Sequence, residues 1–303
     1  MQSYHYLQAY EGRGQLSSND TDELRRIQLG LKGETLVRSI IEPLRPNDLC
    51  VLFDVWLDCF GTTQLDALIL APKQIYLINV KNYQFELKTG EEFSHKVTRS
   101  IHNQLLKSKD ILQNILDDLG IEIPIETVVM FANDYQKDWI VELKPCQVVL
   151  FHEIAFWFRK LISRHGGWQS IRQMEELRDS ILAYQCEPVK PRWLEGLSHD
   201  TICQQLELGL RCTHCRAVNQ MIAETQRTIT CRCGYKTSRH KVVLATIDEY
   251  LALRMTKRFT RRQVEDFVVD VSTNTLIRIL NKHFKAINYT SARYYEKTGS
   301  YFE

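Results

Sequence analysis

Residues 64–81 read QLDALILAPKQIYLINVK, and this stretch decides the fold of the first part of the chain. Two apolar runs flank a turn that contains a proline, so the stretch predicts two β-strands in succession. Asp66 interrupts the first run, and Asn79 and Lys81 end the second. Polar groups in such apolar strands cost free energy unless they face a polar site or a ligand. The strands are therefore predicted to carry a site as well as a core.

Helical and strand-like patterns alternate on both sides of this stretch. The predicted helices are 20–43, 100–119, 153–164 and 169–185, and the predicted strands are Cys50–Trp56, Gln64–Ala71, Gln74–Lys81, Ile125–Ala132 and Cys146–Phe151. This order predicts an α/β fold in which helices flank a mixed sheet on both sides. The proline-containing run at 187–192 ends the pattern, so the first domain is predicted over residues 1–189.

The composition is typical of a globular protein. Hydrophobic residues make up 44% of the chain and charged residues 25%, values that exclude disordered, collagen-like and low-complexity classes. No run is long and apolar enough to span a bilayer, and no basic cap followed by an apolar run is seen at the N-terminus. We therefore expect a cytoplasmic protein without membrane association.

Charge is distributed unevenly along the chain. Residues 190–303 carry 19 basic and 11 acidic side chains, a net charge of +8, whereas the preceding residues have a net charge of −6. Phosphate backbones attract basic surfaces. The C-terminal third is therefore the part expected to face a polyanion.

The polar residues of the two central strands suggest a catalytic constellation. Side chains alternate along a strand, so Asn79 and Lys81 share one face. Glu34 on the first helix and Gln104 on the helix after the sheet are candidates to converge on the same place as Asp66. The plainer interpretation is that the aspartate caps a turn and the lysine reaches solvent at the end of its strand.

Taken in order, these segments resemble a known family. Gly33-Glu34, the strand around Asp66, residues 75–83 and Gln104 resemble the nuclease-related domain, NERD. That family belongs to the PD-(D/E)xK nuclease superfamily, which has the restriction-endonuclease-like fold. The resemblance covers roughly residues 20–155, and the ordered set is more specific than any one piece.

The resemblance implies metal-dependent hydrolysis of phosphodiester bonds. Asp66 would hold Mg²⁺ or Mn²⁺, and the acid of the family's E-x-K strand would be a second ligand. Lys81 would orient the attacking water or neutralise charge that develops on the phosphate. Two carboxylates and a substrate phosphate suit a hard cation that keeps several waters.

One position departs from the family pattern. Asn79 stands where the family has its glutamate, and an amide oxygen can ligate a cation but brings no charge. Glu34 could supply the missing acid, and Glu86 is a poorer substitute. Three interpretations follow: an active nuclease with a relocated acid, a weakened nuclease, or a descendant that only binds.

Four of the nine cysteines lie close together in the C-terminal third. Cys212 and Cys215 form one pair, and Cys231 and Cys233 form a second, tighter pair. Two such pairs supply the four thiolates of a structural zinc site, which has no open coordination position for catalysis. We predict a zinc ribbon over residues 190–242, with His214 and His240 as reserve ligands. The plainer interpretation is a group of reduced thiols; either interpretation fits a reducing compartment.

The last segment, 243–303, predicts a helix-turn-helix or winged-helix-like tail. Two short helices with Ser or Thr caps are followed by a possible β wing. The candidate nucleic-acid contacts are Arg261, Arg262, Arg278 and Lys282. The plainer interpretation is a small helical module whose charges face solvent. In proteins that this chain resembles, a zinc ribbon and such a tail follow the nuclease-related domain.

Two functional hypotheses follow from the sequence. The first is a DNA-acting protein whose N-terminal domain is a metal-dependent nuclease or a relic of one. The second is a non-catalytic nucleic-acid-binding or scaffold protein that retains the nuclease fold, which the asparagine at position 79 favours.

Overall fold

A computed structural model describes residues 2–46, 49–83, 92–133, 145–165, 171–188, 194–223, 225, 227–288 and 293–297. The chain divides into two compact units. The first is Arg26–Val189, and the second combines Met1–Arg25 with Lys190–Glu303. The sequence pattern assigns residues 1–189 to one domain, whereas the structure groups the first 25 residues with the C-terminal part.

Nine helices lie in the described ranges of the chain. They are α1 (Gln2–Tyr10), α2 (Ser18–Ile41), α3 (Glu92–Asp118), α4 (Ile154–His165), α5 (Ile171–Leu182), α6 (His199–Gln205), α7 (Arg239–Arg254), α8 (Arg261–Val268) and α9 (Thr273–His283).

The unit Arg26–Val189 is built on a five-stranded mixed sheet. The strands pair in chain order and are β1 (Cys50–Asp58), β2 (Thr62–Ala71), β3 (Gln74–Lys81), β4 (Ile125–Phe131) and β5 (Gln147–Val149). The pairs β1–β2 and β2–β3 are antiparallel, whereas the pairs β3–β4 and β4–β5 are parallel. A parallel pair needs a crossover, and α3 lies in the connection between β3 and β4.

Helices cover both faces of this sheet. Apolar residues of α3 and α5 pack on one face, and residues of α2 and α4 pack on the other. Two-sided burial explains why β2 and β3 are apolar almost throughout rather than alternating. The predicted fold class, a mixed α/β sheet flanked by helices, is confirmed.

The second unit contains two small sheets. One is formed by β6 (Met221–Ala223), β7 (Thr228–Cys231) and β8 (Lys236–Ser238), and the other by β9 (Arg258–Thr260), β10 (Phe284–Asn288) and β11 (Arg293–Lys297). In the latter, β11 lies between β10 and β9. The order α7, β9, α8, α9, β10, β11 is that of a winged helix, and α8 begins with Thr260 as its capping residue. The described residues include no helix that is long and apolar enough to cross a membrane.

A buried charge cluster joins the N-terminal segment to the rest of this unit. Arg13 and Arg211 share the carboxylate of Glu249, at 2.9 Å and 3.2 Å. Arg13 also donates to the carbonyl oxygens of Glu207 and Gly209. Arg211 donates to backbone carbonyl oxygens at the C-terminal end of α1 and just after it. Burial lowers the pKa of Arg13, and the adjacent carboxylate opposes this effect. These contacts explain why the first 25 residues belong to the C-terminal unit.

Glu249→Gln is expected to destabilise this unit. The variant leaves two guanidinium groups without their counter-charge, and breaking a buried ion pair from one side typically costs 3–5 kcal/mol. Because the Glu249 side chain is 25% exposed, we expect about 3 kcal/mol. Chemical denaturation followed by circular dichroism measures the loss. Asp270→Asn, at an exposed position of the same unit, is the control; an equal loss in both variants would contradict the role given to Glu249.

Candidate active site and cysteine cluster

Asp66 lies where two strands of the sheet stop pairing. The register of β2 and β3 ends at Ala67 and Ile78, and the backbone N–H of Val80 donates to Asp66 Oδ2 at 2.7 Å. One step beyond the last pair, Asp66 faces Asn79 across the strands. The carboxylate is thus held in place by backbone, and its other oxygen has no hydrogen-bond partner assigned in the described residues.

Asp54 is a second carboxylate at this place, and the sequence analysis missed it. Phe53 pairs with Ala67 and Val55 pairs with Leu65, so Asp54 lies opposite Asp66. Its φ of 52° is in the left-handed region, where aspartate is more tolerated than most residues. Like Asp66, it is a lone acid within an apolar run, and that signal could have identified it.

Lys81 and Gln104 meet on the other side of Asp66. Lys81 Nζ donates to Gln104 Oε1 at 2.9 Å, so the structure brings together the end of β3 and the helix α3. Asn79, on the same strand, is 4% exposed. Its Oδ1 atom is buried and has no donor among the described residues, which is costly for an amide oxygen.

Glu34 is positioned by a close contact between α2 and the end of β3. Asn82 Nδ2 donates to the carbonyl oxygen of Leu29 at 2.8 Å. A Cβ atom at Gly33 would lie 2.7 Å from Asn82 Cβ, so only glycine permits this approach. The next residue is Glu34, which lies close enough to Asp66, Asp54 and Lys81 for their charges to affect it.

The electrostatics of the site are those of crowded acids. Burial, Asp66 and Asp54 raise the pKa of Glu34 to about 7. Burial also raises the pKa of Asp66, against the hydrogen bond from Val80 and the charge of Lys81. Burial lowers the pKa of Lys81, while Asp66 and Glu34 oppose that effect. Glu34 therefore lies within electrostatic reach of two other carboxylates and of one lysine, and the negative charges outnumber the positive charge.

This crowding makes a prediction about stability and pH. The pKa of Glu34 is about 7 in the native state, which is above its value in the unfolded state. The native state therefore loses stability as the pH rises through about 7 and this buried group becomes charged. Glu34→Gln should therefore raise the free energy of unfolding at pH ~8 by about 2 kcal/mol in buffer without Mg²⁺ or Mn²⁺, and leave it nearly unchanged at pH ~5. Thermal denaturation at both pH values measures the difference. The exposed Glu122→Gln should show no such dependence; a pH-independent effect of Glu34→Gln would count against the crowding.

Glu86 is the remaining candidate acid from the sequence. Glu86 lies outside the described residues. The five site residues proposed from the sequence all lie in the unit Arg26–Val189, and Asp54 joins them.

The cysteine pairs come together as a compact cluster. The Sγ atoms of Cys212, Cys215, Cys231 and Cys233 all lie within 4.8 Å of one another, an arrangement that could hold a metal ion such as zinc. Cys212 and Cys231 are buried, and Cys215 and Cys233 are exposed.

Tight backbone turns create this cluster. The Arg216 N–H donates to the Cys212 carbonyl oxygen, and the Gly234 N–H donates to the Cys231 carbonyl oxygen. Gly234, with φ 87°, follows the second pair directly and turns the chain toward β8. The reserve ligands differ in position: His214 stacks on Tyr235 next to the cluster, whereas His240 pairs with His283 at 2.7 Å.

The candidate nucleic-acid contacts fall into two groups. Arg261 and Arg262 begin α8, and Arg261 pairs with Glu265 at 3.3 Å. Arg278 and Lys282 lie one turn apart on α9 and line a common cleft. Their proximity follows from helix periodicity, whereas the cleft depends on tertiary contacts.

Comparison with known proteins identifies part of the first unit. Residues 29–132 match the family model described as nuclease-related domain, NERD, so the resemblance expected from the sequence is confirmed over that segment. Among curated protein sequences, none matches the chain significantly. The crystal structure of protein VC1899 from Vibrio cholerae aligns with a TM-score of 0.30 and 13% identity, over 54% of this chain and 50% of that chain.

Proposed function

We propose that the unit Arg26–Val189 is a metal-dependent nuclease that hydrolyses phosphodiester bonds of DNA. The observation that carries the proposal is the convergence of three carboxylates and one lysine where β2 and β3 separate. The match of residues 29–132 to the nuclease-related domain supports the same reaction class.

The donor set suits a hard divalent cation. Glu34, Asp54 and Asp66 offer carboxylate oxygens, and Asn79 adds a buried amide oxygen without a donor in the described residues. Mg²⁺ and Mn²⁺ prefer oxygen ligands of this kind. Bound here, such a cation would supply a Lewis acid and lower the pKa of a coordinated water. Its charge would also relieve the repulsion that raises the pKa of Glu34.

Lys81 is the residue that would interact with the phosphate group that is hydrolysed. Gln104 accepts a hydrogen bond from its ammonium group, which limits the directions that the side chain can take. From the end of β3, Lys81 would donate to a phosphate oxygen or to the attacking water. Gln104 is then a positioning residue, since it contacts the lysine rather than the reacting atoms.

Asp54 restores the charge that the asparagine removes. The family pattern has an acid at position 79, and here that position is neutral. Asp54 lies opposite Asp66 on the other neighbouring strand, and Gln64 Nε2 donates to its Oδ1 at 2.7 Å. An acid at position 54 would lie on the opposite side of Asp66 from position 79, and this placement supports the interpretation of an active nuclease with a relocated ligand.

The second unit would support the nuclease through binding. The cysteine cluster would hold zinc and stabilise the ribbon, and the winged-helix segment would bring basic residues to DNA. Of the candidate contacts, Arg262, Arg278 and Lys282 have no ion-pair partner within the part of the chain that the structure describes.

A second candidate function remains with its own support. The neutral Asn79 is the feature that favours a protein that binds nucleic acid through the same fold without cleaving it.

The test is incubation of the purified protein with linear, nicked and single-stranded DNA. Cleavage that appears with Mg²⁺ or Mn²⁺ and disappears with chelator supports the nuclease. Mn²⁺ should be the better activator, because it lies among the transition metals that tolerate softer and neutral ligands. Binding without cleavage of any form in either metal supports the second candidate.

A further inference from the structure

A basic cleft opens in the second unit. It has a volume of about 380 Å³, within the range of ligand-binding pockets. Four basic side chains line it: Arg227, Arg239, Arg278 and Lys282. They come from three segments far apart in sequence, namely the residue before β7, the start of α7 and the exposed side of α9.

The described residues that line the cleft do not balance these charges with an acid. Among the described residues that line the cleft, none is acidic, and in the described part of the chain none of the four cations pairs with a carboxylate. Arg278 and Lys282 lie four positions apart on one helix, and like charges at this spacing destabilise a helix slightly. An arrangement with this cost is more readily explained by an anionic ligand than by the fold alone.

Individual groups in the cleft point to the same ligand. Arg239 Nε is buried and has no hydrogen-bond acceptor among the described residues. His240, beside it, contacts His283 through the two Nε2 atoms at 2.7 Å, so at least one of these nitrogens is unprotonated. Burial lowers the pKa of His240, and the charges of His283 and Lys282 lower it further. The N-terminus of α7, which is the positive end of its helix dipole, adds to the positive electrostatic potential of the cleft.

We propose that this basic cleft binds a phosphate group, carried by a nucleic-acid backbone or free in solution. Arginine forks match the tetrahedral oxygens of phosphate, and a lysine adds a point charge. This proposal deepens the DNA-binding role proposed for the second unit, and it is separate from the nuclease activity because the described residues that line the cleft include no carboxylate. It assigns Arg227 and Arg239, which the sequence analysis did not select, to the same ligand as Arg278 and Lys282.

The test compares two double variants of the full chain that lose the same charge. Arg278→Gln/Lys282→Gln removes two cations of the cleft, and Lys241→Gln/Lys285→Gln removes two exposed cations of the same unit that do not line it. Binding of a fluorescent DNA duplex is measured over a range of salt concentrations, without activating metal. Thermal stabilisation by inorganic phosphate is measured against chloride at equal ionic strength. Circular dichroism and DNA cleavage are recorded on the same preparations.

If the cleft binds the phosphates of a nucleic-acid backbone, DNA binding by the cleft variant should depend less steeply on salt concentration. Losing two phosphate contacts should reduce the slope of log affinity against log salt by about 1.8, and the matched control should keep its slope. If DNA binding is unchanged but the cleft variant alone loses stabilisation by inorganic phosphate, the cleft binds free phosphate. If the cleft variant and the control behave alike in both assays, the proposal is overturned, whatever cleavage is seen. The single variant Lys282→Gln replaces the double variant if the latter fails to fold.

Discussion

Asp66→Ala is expected to reduce DNA cleavage by at least about a hundredfold. Substitutions of groups that merely support a metal ligand commonly cost 10–100-fold, and Asp66 is the carboxylate that the Val80 N–H holds in position. The rate with saturating Mn²⁺ is the measurement, because weak metal affinity then does not limit it. Asp110→Ala on the exposed side of α3 is the matched control and should cleave like the parent protein.

Three further variants identify which residue supplies the second negative charge of the site. If the acid has relocated, Asp54→Asn and Glu34→Gln should each lower the rate strongly, and Asn79→Glu should gain little in Mg²⁺. If the site is merely weakened, Asn79→Glu should raise the rate in Mg²⁺, because an added charge strengthens cation binding. Lys81→Ala should reduce cleavage while metal affinity changes little. Should Asp66→Ala cleave like the parent protein, the proposed site would be wrong.

Cys231→Ser is expected to unfold the ribbon and remove bound metal. The strands β6 to β8 are only three or four residues long, so their packing supplies little stability. In small zinc modules metal binding contributes about 10–16 kcal/mol, which is in effect their folding free energy. Elemental analysis of the full chain should give about one zinc for the parent protein and none for the variant.

A cysteine outside the cluster provides the control for this experiment. Cys203 lies on α6 and its Sγ contacts His199 rather than the four thiols. Cys203→Ser should therefore retain zinc and the parent's circular dichroism. Parent protein that is free of metal yet has the same fold as zinc-treated protein would refute the structural role of zinc.

Local patterns predicted several elements well because they depend on neighbouring residues. The ranges of β2 and β3 follow directly from the apolar runs in 64–81, with the turn between them. The start of α7 was harder to predict. This helix begins at Arg239, directly after the capping residue Ser238. Val242, Val243 and Ile247 of this helix are buried in a core cluster that also contains Ala9 of α1, a residue far away in the sequence.

Tertiary contacts decided the composition of the candidate site. Glu34, Lys81 and Gln104 could be selected from the sequence because each belongs to a recognisable ordered pattern. A lone acid in an apolar run marks Asp54 as a candidate, but its position opposite Asp66 depends on the register of β1 on β2. A shift of one residue would move it to the other face of the sheet.

The sequence by itself determined the mixed sheet, through the length and apolar character of its strands, and the cysteine cluster, through the spacing of its pairs. Only the tertiary structure decided that Arg13 joins Arg211 and Glu249, and that four cations from three segments form the basic cleft. The physical reason is the distance in sequence over which each kind of interaction acts. Hydrophobic periodicity acts between adjacent turns and strands, whereas charges meet across a fold only after long loops close and registers are set, which no local pattern encodes.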